Sequence, residues 1–394
     1  MHQAHFVVRT LLALGIATAL SACSGSSGSQ RLTPAGASLD TAARSAGAAR
    51  IQFAYVANFG SSSVSAYGID AKSGALTQVA GSPFAAGSGP VGLAIDPKGK
   101  YAYVGNFFDD TVSGYTLNAT TGALTSIAGS PFGAGTNPYS ATIAPTGKFA
   151  YVPNRGSGSV SAYAIDASTG ALTQLAGSPV LVGINPVGVA IVPSGKFAYV
   201  INRGSNNVTA FSVNVKTGAL KKVTGSPFAA GTGPDGIAIT PSGKFVLVAN
   251  LSSNNVSAYS IQSSGALKAV AGSPFGAGTQ PYAVTVDPSG AFAYVPNNGT
   301  NNVSAYTIDG TSGVLTQVAG SPFGAGTNTD GIAVDPSGAF VYAANDGSNN
   351  VSAYSIDASS GALTQLAGSP FGSGSGPFQI STCLRSGHTC VPAP

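Results

Sequence analysis

From about residue 51 onward, short apolar runs alternate with clusters of Gly, Pro, Asn, Asp and Ser, and the whole pattern repeats. The tripeptide Ser-Pro-Phe marks the period. Its Pro stands at Pro83, Pro131, Pro179, Pro227, Pro274, Pro322 and Pro370, at spacings of 48, 48, 48, 47, 48 and 48, and only the third copy replaces Phe, with Val180. One unit carries four strand signals: Val91–Asp96 (a), Tyr101–Gly105 (b), Thr111–Leu117 (c) and Leu124–Ile127 (d), separated by turns such as Pro97–Lys100 and Thr120–Gly122. Four short strands per unit, seven units and no helical period predict an all-β fold, a seven-bladed β-propeller of four-stranded antiparallel blades.

The faces of the strands refine this. In Phe53–Ala57 both alternating sets, Phe53, Tyr55 and Ala57 against Ala54 and Val56, are apolar, as in a strand covered on both sides by neighbouring blades. Strand d is more polar, as Thr77 and Gln78 show, and suits an outer edge that must avoid pairing with other chains. The repeat region starts on a strand b at Phe53 and ends on a strand a at Phe378–Thr382, so neither end holds a complete blade. The last strand is expected to pair with Phe53–Ala57 and close the ring.

Strand b reads Tyr-Val-Ala-Asn at Tyr55–Asn58, Tyr-Val-Gly-Asn at Tyr103–Asn106 and Tyr-Val-Pro-Asn at Tyr151–Asn154, with Pro-Ser-Gly-Lys before it and Val-Ser-Ala-Tyr after it. Over residues 51–384 the unit resembles the YVTN-type repeat of the lactonase-family seven-bladed propellers. That family contains 6-phosphogluconolactonase-like hydrolases and a muconate-lactonizing cyclase, along with many envelope members without known chemistry. The resemblance implies His, Arg and acidic groups near the channel mouth of its enzymes. Here the 13 acidic residues are all Asp, and the only His beyond the first few residues is His388, in the tail. No catalytic residue is therefore carried over.

The net charge is +4, but the Lys residues fall mostly at equivalent turns without a contiguous basic run, which argues against nucleic-acid binding. At the start, Leu11–Ala22 is too short to span a bilayer and ends in Leu20-Ser21-Ala22-Cys23, which resembles a lipobox. Residues 1–22 are expected to be a lipoprotein signal peptide, Cys23 the lipidation site and 23–50 a flexible linker. The protein is then an exported bacterial lipoprotein, periplasmic or at the cell surface, held on a membrane through Cys23, and on the outer membrane if the host is Gram-negative. In an oxidising compartment Cys383 and Cys390 are expected to form a local disulfide in or beside the 385–394 tail. Three ligands, these Cys and His388, fall short of a structural zinc site, and no metal or cofactor is expected.

The b-to-c and d-to-a loops emerge on one face, around the channel mouth. Seven Asn end strand b in register (Asn58, Asn106, Asn154, Asn202, Asn250, Asn297 and Asn345), and turn closure explains them better than an amide ring for sugar. Positions that vary within the constant frame are better candidates. After the Asn these are Phe59, Phe107, Arg155, Arg203, Leu251, Asn298 and Asp346; at the start of strand a they are Val91, Tyr139, Val187, Asp235, Tyr282, Asp330 and Phe378. Arg155 and Arg203, with Tyr139, Asp235, Tyr282, Asp330 and Asp346, form a candidate site for an anionic or sugar-like ligand, although variation among solvated loop residues is the plainer reading. Phe107-Phe108-Asp109-Asp110 departs furthest from the repeat and adds two aromatics and two carboxylates, which a solvated turn also explains. The favoured functional reading is a binding or scaffold module for an envelope protein or glycan, or for a small sugar-like ligand; the alternative is a lactone hydrolase resembling 6-phosphogluconolactonase.

Overall fold

The computed structural model describes residues 52–386 and 389–392, with side chains described through 384. The expected signal peptide, Cys23, the 23–50 linker, His388 and the Cys390 side chain lie outside the described residues.

The described residues form seven antiparallel sheets arranged as blades. Blade 2 shows the unit: Pro90–Ile95 innermost, then Tyr101–Asn106, Thr111–Leu117 and Leu124–Ser126 outermost. Blade 1 is composite. Gln52–Asn58, Ser63–Ile69 and Leu76–Gln78 take their innermost strand from Pro377–Ser386, in the register Phe53 with Cys383, Tyr55 with Ser381 and Ala57 with Gln379. This is the closure the unit order predicts. Beyond it, Thr389–Pro392 folds back on Cys383–Ser386, a hairpin the sequence reading treats only as a tail. Cys383 is fully buried and disulfide-bonded.

Burial follows the two-faced pattern. Phe53, Tyr55 and Ala57 pack with Ala102 and Val104 of blade 2, whereas Ala54 and Val56 pack with Tyr342 and Ala344 of blade 7. The apolar core is thus distributed between blades rather than gathered at one centre. Tyrosine hydroxyls pin the same seams. Tyr67 Oη donates to the Gly372 carbonyl at 2.7 Å and Tyr342 Oη to the Gly74 carbonyl at 2.8 Å, both across the boundary between blades 7 and 1.

The Ser-Pro-Phe signature has a structural cause. The outermost strand breaks after three residues, and Phe84–Ala85 rejoins the blade beside Ser63 and Val64 as a short fifth strand that the sequence reading does not anticipate. At the break, the Ala66 N–H donates to Ser82 Oγ at 2.8 Å. The equivalent bond recurs in every blade, for example from Ala162 to Ser178 and from Ala353 to Ser369. Ser fills the place of the missing ladder acceptor.

Blades 3 and 6 depart from the expected six-residue inner strand, which shrinks to Thr142–Ile143 and Thr285–Val286. Their second strands carry Pro153 and Pro296 where the others have Ala, Gly or Ile. The carbonyl of Pro153 accepts the Tyr139 N–H, so its nitrogen also faces the inner strand and has no hydrogen to give.

Candidate functional site

The mouth is built by one repeated backbone bond. The N–H of the variable residue after each Asn donates to the carbonyl just before the inner strand, as in Phe107 to Gly89, Arg155 to Asn137, Arg203 to Asn185 and Asp346 to Asn328. The accepting residue has positive φ, 53° at Asn137 and 63° at Gly89, a conformation that Asn and Gly tolerate. Both variable sets are therefore held on one rim. The seven Asn lie beneath it, fully buried, and tie each blade to the loop that enters it from the blade before: Asn154 Nδ2 donates to Ser161 Oγ at 2.9 Å while its Oδ1 accepts the Gly135 N–H. They are structural, but they bond a hydroxyl of the next strand and the incoming loop rather than closing a turn on their own backbone.

Inner strands converge on the axis, and space there is rationed. A Cβ on Gly92 would lie 2.3 Å from the Ser140 Cβ, and one on Gly236 would lie 2.5 Å from the Ala283 Cα. Blades 2, 4, 5 and 7 carry Gly at this position, whereas blades 3, 6 and 1 carry Ser140, Ala283 and Gln379. These three blades also place an aromatic one residue earlier, and the aromatics meet. Tyr139 and Tyr282 pack edge-on against Phe378 at centroid distances of 5.8 and 5.4 Å, and their hydroxyls share a 2.8 Å hydrogen bond. The cluster extends outward through Phe59 and Phe107 to Phe108, which is 61% exposed.

Charged groups surround this plug. Arg203 Nη1 lies 2.7 Å from Asp235 Oδ2, yet neither Asp235 oxygen receives an aligned hydrogen bond, and both are buried. The short distance establishes an ion pair; the alignment leaves the carboxylate incompletely satisfied. Burial pushes the Asp235 carboxyl up to about 7 despite the opposing guanidiniums of Arg203 and Arg155. Asp330 is likewise raised to about 7, chiefly by burial, although Asn298 Nδ2 donates to its Oδ1 at 2.5 Å. Burial also raises Asp346. Burial opposes the charge on Arg203, and Asp235 restores it. Arg155 sits over the Phe107 ring at 5.8 Å.

Asp235, Asp330, Tyr139, Tyr282 and Phe378 line a cavity of about 140 Å³ just inside the plug. Asp109 and Asp110 are occupied elsewhere: Asp109 Oδ2 accepts the Ser88 N–H at 2.6 Å and Asp110 Oδ1 the Asn137 N–H at 2.7 Å, so both brace loops. Among the described residues no group of three His, Cys, Asp or Glu has the spacing to hold a metal ion. Phe378, Asn298 and Gln379 belong to the site more closely than sequence reasoning placed them. The usable signal was their departure from Val, Gly and the apolar frame.

A ring of near-identical blades with its irregular side chains concentrated at one channel mouth defines a repeat propeller with a single central site. Residues 48–232, 185–274 and 269–376 match the family described as lactonase, 7-bladed beta-propeller, and the chain belongs to that family. It is similar in structure to a candidate 6-phosphogluconolactonase from Bacteroides fragilis, with a TM-score of 0.75, 20% identity and coverage of 84% of this chain and 98% of that one. It is also similar to the periplasmic gluconolactonase of Pseudomonas aeruginosa, with a TM-score of 0.72, 20% identity and coverage of 84% and 99%. At such identities these likenesses establish the fold alone. No protein of curated function matches the chain in sequence.

Proposed function

We propose that the mouth hydrolyses a small, sugar-like lactone. The observation that carries this reading is Asp330, a buried carboxyl brought to about 7 at the channel axis, in a cluster that includes Arg203 and Tyr282. A general base works best when its pKa lies near the operating pH, and a guanidinium suits the oxyanion of an attacked carbonyl. In this reading water attacks the lactone carbonyl and Asp330 takes its proton. Arg155 or Arg203 holds the oxyanion; the ring C–O bond then breaks and the leaving alkoxide takes the proton back. Asp235 orients Arg203. Family membership and the likeness to a gluconolactonase support the reading.

Release of acid from a panel of sugar and aliphatic lactones by the full chain tests it. Turnover is expected to fall about 10²-fold in Asp330→Asn and in Arg155→Ala; a wild-type rate equal to background overturns it.

Binding without turnover is favoured by one feature, the continuous aromatic surface that ends at the exposed Phe108 and offers a stacking face to an envelope glycan or protein. Export and anchoring at Cys23 belong to the same proposal and rest on Leu20-Ser21-Ala22-Cys23. Incorporation of labelled fatty acid that persists in Cys23→Ala would refute the anchor.

A further inference from the structure

The channel changes character along its axis. Its upper cavity has Asp235 and Asp330 among its lining residues. Immediately below, a second cavity of about 730 Å³ is lined by Ile95, Ile143, Ile191, Ile239, Val286 and Val334. The two share Thr142, Ile237, Val284, Ile332 and Gln379 as walls, so an acidic end abuts a larger, mainly aliphatic one, where the Ser381 and Thr382 hydroxyls are spent on the carbonyls of Leu93 and Val334.

The acidic end is incompletely partnered. Asp235 has no side-chain surface exposed to solvent, and although its carboxylate is paired with Arg203, its Oδ1 has no hydrogen-bond donor. Of the nearby carboxyls, Asp235 faces the guanidiniums of Arg203 and Arg155, whereas the charged neighbours of Asp330 are Asp346 and Asp235, both of its own sign. Burying a carboxylate is costly unless it is paired, so a ligand that brings a cation and directional donors is stabilised here. A metal ion lacks the ligand set among the described residues.

We infer that the channel binds a primary alkylamine, with its ammonium at the Asp330 carboxyl and its alkyl chain in the mainly aliphatic lower channel. An ammonium has three donors and suits Asp330, which borders the small cavity, accepts one side-chain bond, from Asn298, and has no cation among its charged neighbours. Each methylene moved from water into the apolar section strengthens binding by about fourfold. The inference does not rest on hydrolysis, because it concerns binding and is read without turnover.

Isothermal titration of the full chain with hexylammonium, 1-hexanol and methylammonium tests it. Hexylammonium is expected to bind with one site per chain, at least about tenfold more tightly than either control. Asp330→Asn is expected to weaken hexylammonium about tenfold and leave 1-hexanol unchanged. Equal binding of hexylammonium and 1-hexanol, no binding of hexylammonium, or an unchanged affinity in a cooperatively melting Asp330→Asn protein would each overturn it. The first two outcomes use the wild type alone, so a variant that fails to fold does not shelter the inference.

Discussion

The hydroxyls of Tyr139 and Tyr282 meet at 2.8 Å across the channel, 143 residues apart in the chain, and join blade 3 to blade 6 where no strand does. This bond closes the aromatic plug over the cavity. Removing either hydroxyl while keeping the ring, in Tyr139→Phe or Tyr282→Phe, is expected to cost about 1 kcal/mol. The double substitution should cost much less than the sum of the two, as a double-mutant cycle in urea will show.

The pH dependence follows from Asp330. Its carboxyl lies at about 7 in the folded chain, against an ordinary value of 3.8, so the folded state keeps a proton that the unfolded chain has released. The contribution is fully present below the ordinary value and is lost as pH rises through about 7. Asp330→Asn, which still accepts a bond from Asn298, is expected to exceed the wild type in stability by about 2 kcal/mol at pH ~8 and to lose that advantage towards pH ~4. Thermal melts across this range check the sign. An advantage that grows in acid contradicts it.

Ser82 tests the account of the repeat signature. Ser82→Ala leaves the Ala66 N–H without its acceptor at the break in the outer strand. The expected loss is about 1–2 kcal/mol, measured by urea denaturation. Thr77→Ala, one strand away and exposed, is expected to change stability by less than about 0.5 kcal/mol.

Closure of the ring can be weakened at one side chain. Ile380 pairs with Val56 and packs among Ala54, Val56 and Tyr342, so it belongs to the strand from one end of the fold and the core from the other. Ile380→Ala is expected to cost about 2–5 kcal/mol. Amide exchange should quicken first in Gln52–Asn58, the strand that loses its inner neighbour.

Much of this was readable from local pattern. The two apolar faces of Phe53–Ala57, the polar Thr77 and Gln78 and the incomplete end units announce both the blade and its closure, because strand periodicity and turn chemistry are properties of a few neighbouring residues. Arg155, Arg203, Asp235 and Asp330 stood out for the same reason, as departures from a repeated frame. Their roles did not. Arg155 and Arg203 hold equivalent positions, yet one lies over Phe107 and the other pairs with Asp235. Asp109 and Asp110 appear as exposed a pair of carboxylates as any, yet backbone N–H groups of distant loops occupy them.

By itself, the sequence determined seven blades, their strand order and the strand that closes them, because each depends on alternation and spacing along the chain. Only the tertiary structure decided which side chains meet at the axis. Tyr139, Tyr282 and Phe378 come from non-adjacent blades and touch because seven inner strands converge on a space too narrow for seven side chains, where Gly92, Gly236 and Gly331 give way to neighbours that do not. The same convergence removes Asp235 and Asp330 from water and raises their carboxyls, an effect of burial that no spacing along the chain encodes.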